Sequence, residues 1–478
     1  MNRIRHDLVV VGAGSAGYAA ARTARDLGAD VALVDRGPLG GLCILRGCMP
    51  SKTLLASSDA LQDMRDAAEL GIHAGEITVD FPHVARRKRE LVKEFAGFRI
   101  EGIRNFPLYE GPARFLSPHV LHAGDGVVLE AAKFIVATGS VVAPPAIEGL
   151  AQAGFIDSDG ALDIGTLPKS LIVLGGGYIG CELGQFFARM GVKTTIVLRS
   201  PHLLSGEDHD IGDALTAYFR EEGIEVLTGT RVLRASTRAG RKVVHVRTGD
   251  VDAEIDAEEI LYCLGRVPNV AGLGLDEAGI AYHPIAGIEV DDTMRVAGDP
   301  NVFAIGDVTG KHLLVHVAIY EGEIAARNAV LGGRERAVYD LQKTHTIFSE
   351  PQVAVAGMTE RELQAGGVAY VKGRYAFAEH GKAQCLGKTK GFVKMMASPL
   401  DGRILGAAVI GAYGSDLIHE VVVAMHYGAS VQEFMRIPHL HPTMAEIWTY
   451  PAEECAAQML AGAPVEPEPG IARSGIAR

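Results

Sequence analysis

Short apolar runs, each followed by glycine or another small residue, recur along the first two thirds of the chain. The runs at 7–11 and 31–35 flank an alanine-rich segment, and the runs at 171–174 and 194–199 flank a second segment of the same kind. Brief continuous apolar runs bounded by turn residues are typical of buried parallel strands, and the segments between them have helical length. The pattern predicts two β–α–β units of a doubly wound fold.

The last third of the chain has a different pattern. Apolar runs at 351–357, 391–395 and 404–410 follow one another without long helical segments between them, which favours antiparallel strands. Two helical stretches follow, near 415–427 and 430–436. We therefore expect an α/β fold in which two doubly wound domains precede a C-terminal α+β domain.

The turn after the first strand has the sequence Gly12-Ala-Gly14-Ser-Ala-Gly17, and the next strand ends at Asp35, 23 residues after Gly12. In a dinucleotide-binding turn the first glycine makes the bend, the second admits the pyrophosphate and the third lets helix and strand pack. The helix N-terminus then holds phosphate, and the acid binds ribose hydroxyls. The alternative is a glycine-rich turn in another doubly wound domain, but the complete strand–turn–helix–strand context favours a dinucleotide site.

A second turn of this kind, Gly175-Gly-Gly177-Tyr-Ile-Gly180, opens the second unit. Its second strand is predicted to end at Arg199, 24 residues after Gly175, where the first unit has an acid. An arginine at this place accommodates a 2′-phosphate, whereas an acid holds a free 2′-hydroxyl. The chain is therefore expected to bind two dinucleotides, the second being NADPH rather than NADH. The alternative is that Arg199 points into solvent.

Cys43 and Cys48 lie between the two glycine-rich turns, with Pro50 close behind. Because proline suits the first turn of a helix, we predict a loop that enters a helix N-terminus, where partial positive charge favours a thiolate. Two buried free cysteines or half of a metal site are the alternatives. A zinc half-site usually has closer cysteines and a second Cys/His pair, which the sequence lacks. The stretch therefore favours a redox-active disulfide.

Composition narrows the function further. The 478 residues carry a net charge of −12 and six scattered cysteines. Without a Lys/Arg-rich run a nucleic-acid partner is not expected, and the cysteines are too sparse for a disulfide-stapled secreted scaffold. No apolar run reaches the roughly 20 residues that span a bilayer. We expect a cytoplasmic protein without a membrane partner, and a disulfide in that reducing compartment is usually catalytic.

Near the C-terminus, His441 is followed by Pro442, and Glu446 lies about one helical turn beyond. A carboxylate at that distance can orient the imidazole and make it a better base. A single histidine is more often a surface residue or a satisfied core residue, so the two interpretations stay open on this pattern alone.

Seven motifs now stand in order along nearly the whole chain: the two glycine fingerprints, the cysteine stretch through Lys52, Ala137-Thr138-Gly139, Gly265-Arg266-Val-Pro-Asn269, Ala304-Ile-Gly306-Asp307 and the His441–Glu446 pair. Together they resemble the flavoprotein pyridine nucleotide–disulfide oxidoreductases, the family of dihydrolipoyl dehydrogenase and glutathione reductase. The resemblance implies FAD in the first dinucleotide site and a nicotinamide cofactor in the second.

The resemblance also implies a role for each matching residue. Cys48 is expected to lie against the flavin and Cys43 to exchange with substrate. Lys52 and Glu182 are expected to pair near the flavin's reactive nitrogen. His441, held by Glu446, is expected to be the acid–base group for the other subunit's cysteines, which implies an obligate homodimer.

The remaining expected cofactor contacts follow from the same motifs. Tyr178 is expected to cover the nicotinamide pocket, and Asp307 to bind the ribityl chain. The full set of expected cofactor-binding residues is Gly12, Gly14, Ser15, Ala16, Gly17, Asp35, Arg36, Gly41, Thr138, Gly139, Gly175, Gly177, Tyr178, Ile179, Gly180, Arg199, Gly265, Arg266, Gly306 and Asp307. No metal site is expected.

The resemblance also implies a division into domains. Residues 1–148 are expected to form the first part of the FAD domain and 149–272 the NAD(P) domain. Residues 273–340 are expected to complete the central FAD-binding part. A dimerisation domain at 341–460 and a flexible tail at 461–478, rich in Pro, Gly and Ala, are expected to follow.

The expected activity is electron transfer between NAD(P)H, FAD, the Cys43–Cys48 disulfide and a low-molecular-weight disulfide or dithiol. Arg199 favours NADPH and the reducing direction. The cysteine stretch and Pro438-His-Leu-His441 are similar to dihydrolipoyl dehydrogenase, the first alternative, although that group has an acid at the place of Arg199 and uses NAD. A flavin-binding redox sensor without turnover is a further class, but the cysteines and His441 are all present.

Two other activities, glutathione reduction and mercuric ion reduction, have less support in the sequence. Arg22 falls where glutathione reductases have a substrate arginine, but Glu323 stands where they have another, which argues against glutathione itself. A mercuric reductase is the third alternative. Those enzymes use a C-terminal cysteine pair to hand over a soft metal, and the C-terminal region here offers only Cys455.

Overall fold

A computed structural model of the chain describes residues 3–124 and 126–462. They form two compact units, one within 1–64, 75–199 and 227–342, the other within 65–74, 200–226 and 343–478. Of the predicted flexible tail at 461–478, the part from 463 onward lies outside the described residues. Within the described ranges, no helix is both long enough and apolar enough to cross a bilayer.

The α-helices are distributed along the whole described part of the chain. They are α1 Ser15–Asp26, α2 Leu42–Arg46, α3 Cys48–Asp66, α4 Phe81–Ile103, α5 Leu150–Ala153, α6 Ser158–Leu162, α7 Tyr178–Arg189, α8 His209–Glu221, α9 Val315–Leu331, α10 Glu360–Gly366, α11 Gly381–Leu386, α12 Gly414–His426, α13 Val431–Arg436 and α14 Thr449–Leu460. Short 3₁₀ turns lie at Ala67–Leu70, Gly306–Thr309, Phe377–Glu379 and Ala445–Trp448.

The strands are mostly short. They are β1 Arg3–Val11, β2 Val31–Asp35, β3 Leu108–Glu110, β4 Ala113–Ser117, β5 Val120–Ala123, β6 Val127–Val136, β7 Ser140–Val142, β8 Ser170–Leu174, β9 Lys193–Val197, β10 Glu225–Leu227, β11 Thr230–Arg238, β12 Arg241–Thr248, β13 Val251–Ala257, β14 Glu259–Tyr262, β15 Arg266–Pro268, β16 Tyr282–His283, β17 Gly287–Ile288, β18 Val302–Ala304, β19 His345–Ile347, β20 Gln352–Gly357, β21 Val371–Ala376, β22 Phe392–Ala397 and β23 Ile404–Gly411.

The first unit contains the two predicted parallel sheets. In one, β1 pairs in parallel with β2 and β6, and β18 joins β6, while β4 and β5 extend it antiparallel. In the other, β8 pairs in parallel with β9 and β14. Residues 8–11 of β1 are apolar and buried, and β8 is buried along its whole length, as a parallel sheet covered by helices requires. Helix α1 packs closely on α9, because Gly322 brings the second backbone onto Ala16.

The second unit is built on an antiparallel sheet in the order β19-β20-β23-β22-β21. Helix α12 packs on β20 and β23, and α14 packs on β21 and β22. Their shared core includes the fully buried side chains of Trp448, Phe377 and Phe434. The three predicted antiparallel strands and both predicted helices are present here, and the α/β fold class with a C-terminal α+β domain is confirmed.

Candidate functional site

The first glycine-rich turn has the geometry that a dinucleotide needs. Gly12 has φ +105°, and a Cβ there would lie 2.4 Å from the carbonyl oxygen of Ala137. A Cβ on Gly17 would lie 1.8 Å from the carbonyl oxygen of Gly12, so helix and strand touch. Gly14, in contrast, has only Gly41 Cα within 4 Å of its Cβ position, at 3.8 Å. The middle glycine therefore leaves room for a pyrophosphate.

Helix α1 begins in a way that suits a bound anion. Its first turn has no side-chain cap at Gly14 and no acidic residue, so the backbone N–H groups are left for a ligand. The Asp35 carboxylate receives 2.7 Å hydrogen bonds from the N–H groups of Ala13 and Gly37, which fix it beside the turn. Arg36 is exposed next to it. These groups fit the adenosine half of FAD, which Gly12, Gly14, Gly17 and Asp35 would hold.

The second glycine-rich turn repeats this arrangement. Cβ atoms on Gly175 and Gly180 would collide with backbone, whereas nothing lies within 4 Å of the Cβ position at Gly177. Helix α7 again begins without a side-chain cap or an acid in its first turn, and Tyr178 is its first residue, 38% exposed. The turn fits a second dinucleotide, the nicotinamide cofactor.

The end of the second strand differs from the prediction. Strand β9 stops at Val197, so Arg199 lies two residues beyond it in a bend rather than closing the strand. The backbone N–H of Leu198 bonds to the carbonyl of Leu227, the last residue of the neighbouring strand β10. Arg199 is exposed, and no hydrogen bond or ion pair holds it within the described part of the chain. Its guanidinium is therefore accessible to a ligand at this edge.

The segment around Cys43 is helical, so the predicted loop was wrong there, whereas the predicted helix N-terminus is present at Cys48. Cys43 lies in the one-turn helix α2, and Cys48 is the first residue of α3, with only Gly47 between the helices. A Cβ on Gly47 would come within 3.2 Å of Cys43 Cα, so glycine permits this tight junction. The Gly41 backbone rests on Gly14, which ties the cysteine segment to the first dinucleotide turn.

The two cysteines are unbonded thiols in this structure, and they have different electrostatics. The hydrogen bond from the Cys43 thiol lowers the pKa of Cys48 to about 7, with help from Lys52 and against the effect of burial. The same contact, together with burial, raises the pKa of Cys43. Negative charge is therefore held on Cys48, while Cys43 keeps its proton until a base removes it.

Two ion pairs join α3 to α7 near the cysteines. Lys52 Nζ lies 2.8 and 3.0 Å from the two oxygens of Glu182, and the carboxylate is buried. Farther along, Arg189 donates to Asp59 at 2.6 Å. The predicted Lys52–Glu182 contact is therefore present, and it places a fixed positive charge on the helix that begins with Cys48.

Asp307 belongs to a second cluster of polar side chains. Its carboxylate accepts a 2.7 Å hydrogen bond from Ser140, which also accepts from Arg266 at 2.9 Å. Burial raises the pKa of Asp307 despite the Ser140 hydroxyl. A partly buried acid that already accepts from a hydroxyl group fits the ribityl chain of FAD. The other expected cofactor residues of these motifs, Thr138, Gly139, Gly265 and Gly306, lie in the turns after β6, before β15 and after β18.

In the second unit, His441 and Glu446 are in contact as predicted. His441 Nδ1 lies 3.0 Å from Glu446 Oε2, and the 3₁₀ turn at Ala445–Trp448 aims the carboxylate. The imidazole is 81% exposed, whereas Glu446 is only 13% exposed. The carboxylate therefore orients the ring and leaves its Nε2 facing outward, as an acid–base group requires.

The sequence reasoning missed Arg99. This residue on α4 stacks over Tyr18 of α1, 4.7 Å from the ring centroid, and Arg22 lies 5.9 Å from the same centroid. Helix α4 also packs on α2, which carries Cys43. Arg99 Nη1 is buried without a hydrogen-bond partner, and no carboxylate of the described residues pairs with Arg22 or Arg99. Arg99 had no sequence signal, because it is one of many charged residues on a long helix.

Comparison with known proteins shows the family to which the chain belongs. The pyridine nucleotide-disulphide oxidoreductase family matches residues 6–322, and its dimerisation domain matches residues 344–452. A dihydrolipoyl dehydrogenase from Geobacillus stearothermophilus is 35% identical over 469 residues, which cover 97% of this chain and 97% of that protein. A mercuric reductase from Streptomyces lividans is 34% identical over 450 residues, 92% of this chain and 94% of that protein.

Solved structures give the same result. The HOCl-induced flavoprotein disulfide reductase RclA from Escherichia coli superposes with a TM-score of 0.83 at 27% identity, covering 94% of this chain and 99% of that one. A Cu(II) complex of the same reductase superposes with a TM-score of 0.82 at 28% identity, covering 93% of this chain and 98% of that one.

Proposed function

Because this chain belongs to the pyridine nucleotide-disulphide oxidoreductase family, we propose that it reduces a low-molecular-weight disulfide with electrons from NADPH. Membership of this family implies FAD, a nicotinamide cofactor and a homodimer. The observation that carries the proposal is the polarised dithiol, in which Cys48 has a pKa of about 7 and Cys43 keeps its proton. Since such a dithiol works in a reducing compartment, we also propose a cytoplasmic location.

The dithiol passes two electrons to the substrate in two exchanges. The Cys43 sulfur attacks one sulfur of the substrate disulfide, releases the first thiolate and remains in a mixed disulfide. The Cys48 thiolate then attacks Cys43, closes the Cys43–Cys48 bond and releases the second thiolate. The reverse sequence oxidises a dithiol, so the same residues serve both directions.

His441 supplies the proton chemistry of this exchange. Because the pKa of Cys43 is raised, its attack needs a base, and an imidazole can take that proton. The same proton then goes from His441 to the first leaving thiolate, which becomes a thiol. Glu446 stabilises the imidazolium between the two transfers. In the homodimer, we assign this role to His441 of one protomer acting on the cysteines of the other.

FAD connects this dithiol to NADPH, and residues near both dinucleotide sites assist. FAD, when bound, supplies the two-electron link between nicotinamide hydride and the disulfide. Lys52, paired with Glu182, holds positive charge near Cys48 and keeps its thiolate ionised. With the nicotinamide cofactor bound, Tyr178 would cover the nicotinamide side, and Arg199 would bind the 2′-phosphate that distinguishes NADPH from NADH.

We propose that the substrate is an anionic disulfide. Arg22 and Arg99 both lie close to the Tyr18 ring, without acidic partners among the described residues. Helix α4, which carries Arg99, packs on the helix of Cys43. A guanidinium matches the planar geometry of a carboxylate. Glutathione itself stays disfavoured, because Glu323 would place a carboxylate where a glutathione reductase has an arginine.

Dihydrolipoyl dehydrogenase activity is the second candidate. It is favoured by the 35% identity to such an enzyme over nearly the full length of both chains, and disfavoured by Arg199. A mercuric reductase activity comes third. Cys455, the only cysteine near the C-terminus, is fully buried and donates to the Met395 carbonyl at 3.4 Å, which does not suit the transfer of a metal.

The experiment that tests the proposed function is a kinetic screen with purified enzyme. Glutathione disulfide, lipoamide, lipoate and other small disulfides are each assayed with NADPH and with NADH. The proposal predicts turnover of a disulfide with NADPH as the better donor. Efficient oxidation of dihydrolipoamide by NAD, with no NADPH-driven reduction, would favour the second candidate instead.

A further inference from the structure

His380 is a fully buried histidine behind the His441–Glu446 pair. It lies between the 3₁₀ turn Phe377–Glu379 and helix α11, and its side chain has no solvent exposure. Both ring nitrogens lack a hydrogen-bond partner among the described residues. Because buried polar groups are nearly always hydrogen-bonded, this exception needs an explanation.

Its ring faces the acid that orients His441. His380 Nε2 lies 3.7 Å from Glu446 Oε1, while Glu446 Oε2 lies 3.0 Å from His441 Nδ1. One carboxylate thus stands between a buried imidazole and an exposed one. The first separation is longer than a hydrogen bond, but a shift of less than about 1 Å would bring the two atoms into hydrogen-bonding range.

The surroundings keep this ring neutral. The titratable groups facing it are Glu446 and His441, and Tyr450 of α14 lies edge-on with ring centroids 6.2 Å apart. Burial lowers the pKa of His380, Glu446 opposes that effect and His441 adds to it. A neutral imidazole has one N–H to donate, and it does not compete with His441 for the negative charge.

We propose that His380 is a positioning residue that donates Nε2–H to Glu446 Oε1 and so holds the carboxylate against His441. Glu446 Oε1 also accepts from the Thr443 N–H at 3.4 Å, a long hydrogen bond that is weak alone. With His380 in place, Glu446 cannot rotate away when His441 gains its proton. This role rests on the proposed function, because it acts only through His441.

The test uses a pair of substitutions of equal shape. His380→Gln keeps an amide donor near the position of Nε2, whereas His380→Met has the same length without a donor. Glu379→Gln, next in the chain and exposed, is the matched control. The holoenzyme variants are compared in two stopped-flow steps, reduction by NADPH and reoxidation by the best disulfide of the screen, across a pH series.

We expect His380→Met to slow reoxidation about tenfold, the typical effect of losing a hydrogen bond to a charged group. The midpoint of its pH profile should move to lower pH, because a loosened carboxylate stabilises the imidazolium less. His380→Gln and Glu379→Gln should stay within about twofold of the unmodified enzyme, and reduction by NADPH should not change in any variant.

Equal slowing of the Gln and Met variants would overturn the proposal, since packing rather than donation would then explain the effect. A Met variant with the unmodified rate and pH profile would also overturn it. If the Met variant does not fold, His380→Asn, whose shorter amide falls short of Glu446, takes its place with the same expectations. The reference variant His441→Gln separates the two hypotheses: if it reoxidises normally, the acid–base role in the proposed function fails.

Discussion

The Cys43 thiol donates a hydrogen bond to the sulfur of Cys48, and this contact separates the chemistry of the two residues. It lowers the pKa of Cys48 to about 7 and raises that of Cys43. The two cysteines are therefore not interchangeable: the first needs a base before it attacks, and the second carries negative charge at neutral pH. This difference supports the proposal that Cys43 exchanges with substrate and Cys48 contacts the flavin.

The first prediction concerns the pH dependence of the reduced enzyme. A thiolate beside a flavin gives a long-wavelength absorption band, so the band should be strong above pH 7 and fade as pH falls below the Cys48 pKa of about 7. Cys48→Ser should abolish it. Cys385→Ser, at an exposed cysteine, is the control and should leave it intact. A band that survives in Cys48→Ser would reverse the assignment of the two thiols.

The second prediction uses the ion pair behind Cys48. Lys52 lowers the pKa of Cys48 and Glu182 raises it. Lys52→Met should therefore move the midpoint of the same band to higher pH, and Glu182→Gln should move it to lower pH. Titrations of the reduced variants measure both midpoints. Shifts of the same sign would show that the pair acts through local structure rather than through charge.

Much of this site could be predicted from the sequence, because the backbone geometry of its turns requires glycine at fixed positions. There is no space for a Cβ at four of these glycines, Gly12, Gly17, Gly175 and Gly180. Their spacing along the chain therefore predicts the turns directly. The contact between His441 and Glu446 was predictable for a different reason, since the two residues are only five positions apart in the chain.

The third prediction concerns the choice of nicotinamide cofactor. Arg199 is exposed and unpaired within the described residues, so its guanidinium is available to a 2′-phosphate. Arg199→Glu should lower the ratio of kcat/KM for NADPH over NADH by tenfold or more, because a charge-assisted contact is replaced by repulsion. Arg238→Glu, on an exposed strand of the same unit, is the control. An unchanged ratio would mean that Arg199 does not contact the phosphate.

The fourth prediction tests the anionic substrate. Lipoate and lipoamide differ only in a carboxylate against an amide. Arg99→Gln should reduce kcat/KM for lipoate about tenfold and that for lipoamide less than about twofold. Arg86→Gln, on the same helix and roughly 20 Å along it, is the matched control. Equal losses on the two substrates would show that Arg99 contributes packing against Tyr18 rather than charge recognition.

Other parts of the site could not be predicted from the sequence, and each has its own physical reason. Arg99 meets Tyr18 only because two helices distant in sequence pack together. The helix around Cys43 is a single turn, too short for a periodic pattern to show. His380 contacts Glu446 across 66 residues of chain, and nothing in its local sequence marks it as buried.

The role of the Cys43–Cys48 pair is tested most directly by comparing NADPH-driven disulfide reduction by Cys43→Ser with that of the unmodified enzyme. We predict that the substitution leaves reduction by NADPH intact and lowers disulfide turnover by at least about a thousandfold, since the attacking sulfur is gone. A Cys43→Ser enzyme that still reduces the disulfide at a comparable rate would rule out this role, because electrons would then reach the substrate without this pair.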